Sequence, residues 1–300
     1  MDTDCVVIGA GPAGLMCGVY LGRYLRSVVI FHCFKSRAEW IPVTHNYPGF
    51  LEGITGPDML KLLHRQAEMY GAIIRQERVC EIRQVEDGFI VRTTEGETST
   101  GKIVIATGVQ DIPPDIPNAV RFKGTTIRHC PICDAYEARG KKIVVFGWDN
   151  HAFKETLWLS HYTSDLILLT TGHASEEHVL AKLQEDLAER NIRTMDQKVV
   201  RIEEDGPLLG TIYLDDGSKI EHVFRGYSAM GLKANSELAA SVGVVLDEHG
   251  YIKVKGPQRT SVEGIYAVGD IVSGQVAQIS VAVGNAASAA TAIHNSLLKI

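Results

Sequence analysis

Six residues near the amino terminus, Gly9-Ala10-Gly11-Pro12-Ala13-Gly14, constrain what this chain can fold into more than any others. They follow the apolar run Cys5-Val6-Val7-Ile8 and precede a helix-compatible stretch to about Arg26, after which comes a second apolar run, Val28-Val29-Ile30-Phe31. A strand, a glycine-rich turn, a helix and a strand within about thirty residues predict a βαβ unit of the dinucleotide-binding kind. Each glycine of G-x-G-x-x-G has its own task. Gly9 permits the tight turn, Gly11 lets the backbone approach a pyrophosphate, and Gly14 allows the helix to pack closely on the strand. The acidic ribose ligand expected about 20 residues on is replaced by His32, so ribose recognition is altered.

The pattern recurs. Lys142-Ile143-Val144-Val145-Phe146 precedes Gly147, a helix-like segment follows to about Tyr162, and Leu166-Ile167-Leu168-Leu169 is the next strand. Pro113, Pro114 and Pro117 cluster before this second unit, and Gly231 to Asn235 follows it, which reads as the two strands of a hinge. The expected fold is therefore α/β with two Rossmann-like, three-layer nucleotide-binding domains. A discontinuous first domain takes residues 1–112 and 238–300, and residues 113–237 form an inserted one.

With 30 basic and 36 acidic residues the chain carries a formal charge of −6, which disfavours nucleic acid and anionic membranes as partners. The start, Met1-Asp2-Thr3-Asp4, lacks the basic region of a secretory signal, so the cytoplasm is the expected location. Between Asp270 and Lys299 no charged residue occurs, but Gln275, Gln278, Ser280, Asn285, Ser288 and Thr291 interrupt the stretch, which reads as a buried Ala-rich helix, not a membrane span. Of six cysteines only Cys130 and Cys133 are close together. No second Cys/His pair is near enough in sequence to complete a tetrahedral zinc site, so no metal is expected.

Further strings carry a family resemblance. Ala106-Thr107-Gly108 follows an apolar strand, and Thr260 to Asp270 ends in Ala267-Val268-Gly269-Asp270. His129-Cys130-Pro131-Ile132-Cys133-Asp134 lies between the proline hinge and the second βαβ unit. His45 to Phe50 and Met230 to Asn235 complete the set. Over essentially its whole length the chain resembles the low-molecular-weight thioredoxin reductases of the pyridine-nucleotide disulfide oxidoreductase superfamily. The resemblance implies FAD, a homodimer, and a Cys130–Cys133 disulfide that accepts electrons from reduced flavin, with Asp134 protonating the leaving thiolate or stabilising charge near it. It also implies a flavin site of Gly9, Gly11, Pro12, Ala13, Gly14, His32, Arg37, Asn46, Val79, Ala106, Thr107, Gly108, Gly269, Asp270, Gln278 and Ile279. There Asp270 would bond the ribityl chain, and the Gln278-Ile279 amides would face the flavin edge where reduction builds negative charge.

Two departures qualify the resemblance. The second turn reads Gly147-Trp148-Asp149-Asn150-His151-Ala152, with Asp149 where a glycine would touch the NADPH pyrophosphate. Two unit negative charges about 5 Å apart repel by about 3 kcal/mol at an effective dielectric near 20. The next strand ends in Thr170-Thr171-Gly172-His173, without the basic cluster that would hold a 2′-phosphate. NADPH is thus not expected; one FAD per subunit is, and the cleft at Gly147, Trp148, Asp149 and Asn150 is left either to another ligand, such as a second FAD, or to nothing. The stretch Lys35 to Trp40 resembles pyridine-nucleotide-independent relatives, above all the cyanobacterial diflavin-linked disulfide oxidoreductases. Two alternatives stay open: a dithiol oxidase passing electrons to oxygen, and a flavin redox sensor. The partner is a protein or small-molecule disulfide or dithiol. Six basic residues against two acidic ones between Arg121 and Lys142 would steer an acidic redox protein such as a thioredoxin or ferredoxin.

Overall fold

The computed structural model describes residues 1–33, 35–173 and 180–299. Along the chain run β1 (Thr3–Ile8), α1 (Pro12–Arg23), β2 (Val28–Phe31), α2 (Gly56–Met69), β3 (Ile73–Arg75), β4 (Val79–Val85), β5 (Gly88–Thr93) and β6 (Glu97–Ile105). Then follow β7 (Val109–Asp111), α3 (Ala119–Phe122), β8 (Ile127–Arg128), α4 (Pro131–Asp134), β9 (Ile143–Phe146), α5 (Asn150–Leu159), β10 (Leu166–Leu169), α6 (Leu180–Glu189) and β11 (Arg193–Met195). The remainder comprises β12 (Val199–Asp205), β13 (Leu208–Leu214), β14 (Lys219–Val223), β15 (Arg225–Ser228), β16 (Leu232–Ala234), α7 (Glu237–Ser241), β17 (Ile265–Ala267) and α8 (Ile279–Leu298).

Two compact units result, each with its own sheet and core. In the first, the apolar run of β1 lies between β2 and β6 in parallel register, Val6 opposite Val29 and Ile103, and β17 adds parallel to β6. The sheet order is β3-β2-β1-β6-β5-β4, the β4-β5-β6 part being an antiparallel meander. Strands buried on both faces need helices to cover them. Here α1 packs on β1 and β2, and on α2 and α8. Helix α1 stops short of Arg26 because Leu25 turns left-handed (φ 58°) and the amides of Leu25 and Arg26 return to the carbonyls of Gly22 and Leu21. The uncharged stretch after Asp270 forms α8, and among the described residues no helix is long and apolar enough to cross a membrane.

The second unit repeats the design with a five-stranded parallel sheet, β11-β10-β9-β15-β8, and a separate antiparallel sheet, β12-β13-β14. The fold is α/β with Rossmann-like sheets, as the two glycine turns predict.

Contacts divide the chain differently from the hinge residues. The first unit holds Met1–Ile41, Ile54–Gln110 and Lys233–Ile300; the second holds Pro42–Gly53 and Asp111–Leu232. Asp111 joins the second unit because its buried carboxylate pairs with Lys123 at 3.1 Å. Residues from Lys233 join the first because the Asn235 amide donates to Gly108 O and its side chain bonds Thr107 O and Gln110. The segment Pro42–Gly53 goes with the second unit, where Asn46 Nδ2 donates to Ile132 O at 3.3 Å.

Candidate functional site

In the first unit the chain leaves four parallel strands at their carboxyl ends through residues singled out in the sequence: Gly9 after β1, His32 after β2, Ala106 to Gly108 after β6, and Gly269-Asp270 after β17. Open α/β sheets bind ligands at these ends. The three turn glycines have distinct constraints. Gly9 has φ +116°, and a Cβ there would sit 2.2 Å from Ala106 O; at Gly14 a Cβ would sit 1.9 Å from Gly9 O. The fold itself demands both glycines. At Gly11 an added Cβ would meet only the side-chain Ser36 Oγ, at 3.3 Å, so the fold itself demands this glycine far less than the other two. Pro12 and Ala13 begin α1, whose first turn carries no side-chain cap at Gly11 and thus leaves amides to face a ligand.

Ser36 holds the short 3-10 turn Arg37–Trp40 by a capping box with Glu39. This sets Arg37, whose Nη1 lies 3.5 Å from Asp270 Oδ2, both side chains being about one-fifth exposed. His32 is part-buried, and burial, then the nearby His64, pushes its imidazole pKa down, so it is neutral near pH 7. Thr107 donates its hydroxyl to Asn235 O at 2.7 Å, and Val79 is buried in the same core cluster as Phe31. Gln278 and Ile279 open α8 with no side-chain cap. Asn46 lies in the other unit, bonded to Thr44 and Ile132.

In the second unit Cys130 and Cys133 are disulfide-bonded across one turn, with Cα atoms 5.4 Å apart. Pro131 at the first helical position favours that turn. Asp134 follows, largely buried, and burial pushes its carboxyl pKa up to about 6 against the pull of Arg128 and Tyr227. Arg128 and Tyr227 are functional candidates the sequence did not disclose, since each is distant in sequence or unremarkable in type. Of the six basic residues from Arg121 to Lys142, three are ion-paired within the unit: Arg121 with Glu204, Lys123 with Asp111 and Arg128 with Asp134.

The second glycine turn is built unlike the first. Asp149 occupies the N-cap of α5, its Oδ1 accepting from Ala152 N at 3.0 Å. A carboxylate thus stands where an incoming pyrophosphate would meet the helix amides. Trp148 stacks on His173 with ring centroids 3.7 Å apart, and His173 Nε2 lies 3.1 Å from Asp115 Oδ2. Gly147 is required sterically, since a Cβ there would meet Ala152 Cβ at 2.5 Å. The end of β10 does have a basic neighbour, one that the sequence of that strand does not disclose: Lys198 lies across Gly172, with its Cε 2.8 Å from where a Cβ would be. The buried hydroxyls of Thr170 and Thr171 and the Oδ1 of Asn150 have no protein partner. Among the described residues no group of three or more His, Cys, Asp or Glu is placed to hold a metal ion.

A parallel nucleotide-binding sheet in one unit, and a C-x-x-C disulfide built into a second unit of the same design, define a flavoprotein oxidoreductase acting on disulfides. The profile of the family described as "Pyridine nucleotide-disulphide oxidoreductase" matches residues 3–286, and the chain belongs to that family. Among curated relatives, the "Thioredoxin reductase" of Mycolicibacterium smegmatis is 29% identical over 297 residues, 95% of this chain and 94% of that protein. The "NADPH-dependent thioredoxin reductase 3" of Arabidopsis thaliana is 29% identical over 98% of this chain, which spans only 58% of that protein's length. The crystal structure of thioredoxin reductase from Streptococcus pyogenes MGAS5005 superposes with a TM-score of 0.91 over 99% of each chain at 22% identity, a likeness of fold alone.

Proposed function

We propose that this chain is an FAD-dependent, thioredoxin reductase-like disulfide oxidoreductase that works through Cys130 and Cys133 and does not draw electrons from NADPH. The observation that carries the second half is the Asp149 carboxylate capping α5 at the place of the pyrophosphate. The Trp148–His173 stack beside it supports the same reading. One of the curated relatives named above is called NADPH-dependent, and the electron source proposed for this chain differs from that.

The bare backbone at Gly11, the uncapped start of α1 and the Arg37–Asp270 pair suit a dinucleotide carrying a ribityl chain. Bound FAD supplies the two-electron step. Gly11 and the first amides of α1 would hold its pyrophosphate, Asp270 would bond its ribityl hydroxyls, and the amides opening α8 would stabilise negative charge on the reduced flavin. Two electrons and one proton convert the Cys130–Cys133 disulfide to a thiol and a thiolate, and Asp134 gives the proton.

The partner is a protein or small-molecule disulfide, with thioredoxin the first protein to try and ferredoxin a donor to try. The protein works as a homodimer in the cytoplasm; the unbridged Cys5, Cys17, Cys33 and Cys80 suit a reducing compartment. A second ligand, FAD in the manner of the diflavin relatives, is supported by the partnerless polar atoms of Thr170, Thr171 and Asn150.

The test is anaerobic. NADPH is expected to leave the flavin absorbance oxidised while dithionite bleaches it, and FAD extracted from fully loaded protein is expected to approach two per subunit. Rapid bleaching by NADPH overturns the loss of nicotinamide binding, and one FAD per loaded subunit overturns the second flavin.

A further inference from the structure

Asp134 lies immediately after Cys133, and its carboxylate is taken up by two strands of the second unit's parallel sheet. Tyr227 Oη, on β15, donates to Oδ1 at 2.9 Å. Arg128 Nε, on β8, lies 3.1 Å from Oδ2 at an angle that makes the contact an ion pair and not a hydrogen bond. Both partners are fixed. Arg128 Nη1 donates to Gly124 O at 2.6 Å, and the fully buried Tyr227 ring packs in a cluster with Ala135, Ala138, Ile143 and Val145. A buried tyrosine hydroxyl needs a partner, and here that partner is the carboxylate beside the redox pair.

The other charges facing Asp134 are Glu137, on the segment that follows it, which favours its neutral form, and Arg225 on β15, which favours the charged form. Arg225 is itself pushed down by burial and by the charge of Arg128. Burial and the neighbouring Asp134 push the Tyr227 phenol far above its ordinary range, so Tyr227 remains a donor throughout the working pH range and does not itself release a proton.

We infer that Tyr227 and Arg128 are positioning residues for the proton that Asp134 exchanges with the Cys130–Cys133 pair. This rests on the reading of Asp134 as the acid. When two electrons from reduced flavin enter the disulfide, the S–S bond breaks. One sulfur takes the Asp134 proton and becomes a thiol, the other remains a thiolate, and the carboxylate left behind is held by the Tyr227 hydroxyl and the Arg128 guanidinium. When the dithiol reduces a partner disulfide, the thiol proton returns to that carboxylate. The partner leaves as two thiolates, which take up any protons from solvent, as the Cys130–Cys133 bond closes, so atoms, charge and electrons balance. Removing the Tyr227 hydroxyl withdraws a donor from the charged form only, and Asp134 then keeps its proton to higher pH.

The test uses the flavin-loaded enzyme, reduced anaerobically with dithionite, freed of excess reductant and mixed with a small aromatic disulfide whose thiolate product is coloured. The rate is followed across acid to neutral pH for the wild type, Tyr227→Phe, Arg128→Gln and Asp134→Asn. Tyr227→Phe keeps the buried ring, so its fold is preserved. The wild type is expected to lose rate on an acid limb centred near Asp134's value. Tyr227→Phe should move that limb up by about one pH unit, Arg128→Gln should move it in the same direction, and Asp134→Asn should abolish it. If Asp134→Asn abolishes the limb while Tyr227→Phe and Arg128→Gln leave it in place, the inference is overturned and the acid reading stands. A limb that survives in Asp134→Asn overturns both.

Discussion

A carboxyl held out of water is more stable neutral than charged, and at Asp134 burial outweighs Arg128, Tyr227 and Arg225, which favour charge. Its folded pKa of about 6 exceeds the ordinary 3.8. The folded state therefore binds the proton more tightly than the unfolded state, and stability from this group is fully present below about pH 4 and lost as pH rises through about 6. The loss is on the order of 3 kcal/mol. Asp134→Asn does not titrate, so the unfolding free energy of the wild type relative to this variant should fall between those limits, measured by urea titration at several pH values. A difference that does not vary with pH would show that Asp134 is ordinary. Of this residue's setting the sequence disclosed only its place after Cys133. Tyr227 is 93 positions away, and Arg128 reads as one more surface base in a basic stretch. Nothing in their types or spacing announces that two neighbouring strands will bring them to one carboxylate.

At the scale of the elements, the two strand-turn-helix units contrast in what their middle residue does. Gly11 presents bare backbone with only the Ser36 hydroxyl nearby, whereas Asp149 is bound into the start of α5. Gly9→Ala would force a side chain into a left-handed position and against Ala106 O, and should destabilise the apoprotein by more than 1 kcal/mol. Gly11→Ala should leave apoprotein stability nearly unchanged and weaken FAD binding at least tenfold, as read by flavin fluorescence titration. Equal losses of stability in the two variants would remove Gly11 from the ligand's account. The strands and helices of both βαβ units were legible because glycine spacing and apolar runs are local properties. The meanders β4-β5-β6 and β12-β13-β14 were not anticipated, since their alternating, half-exposed strands carry no motif. Lys198 beside Gly172 was missed for a related reason: it precedes β12, far along the chain from the strand end it adjoins.

At the scale of the whole molecule, each unit has its own apolar core, one centred on Val6, Ile103 and Ile105, the others on Val145, Phe153 and Leu168 and on Val144, Phe146 and Ile212. Separate cores permit separate unfolding. Calorimetry of the apoprotein is expected to give two transitions. FAD at about a hundred times its dissociation constant should stabilise the unit that binds it by about 2.7 kcal/mol and raise that transition, while NADPH should raise neither. A single transition that FAD moves as a whole would refute the independence of the units. The basic stretch from Arg121 to Lys142 also changes meaning at this scale. Three of its six cations pair with Glu204, Asp111 and Asp134, Lys142 Nζ donates to Glu221 O, and Arg139 and Lys141 lie over the rings of Tyr136 and Phe224.

The sequence by itself determined the repeated α/β design, the two glycine turns and the C-x-x-C pair, because backbone sterics, strand burial and a three-residue cysteine spacing act within a few residues of one another. Tertiary structure alone decided that Pro42–Gly53 belongs with the redox segment. It also decided that Asp149 caps a helix, that Trp148 lies on His173, and that Asp134 is held between Tyr227 and Arg128. Those contacts join residues that meet only when sheets close and the chain returns, and the free energy of a buried charge depends on all the groups around it, wherever along the chain they began.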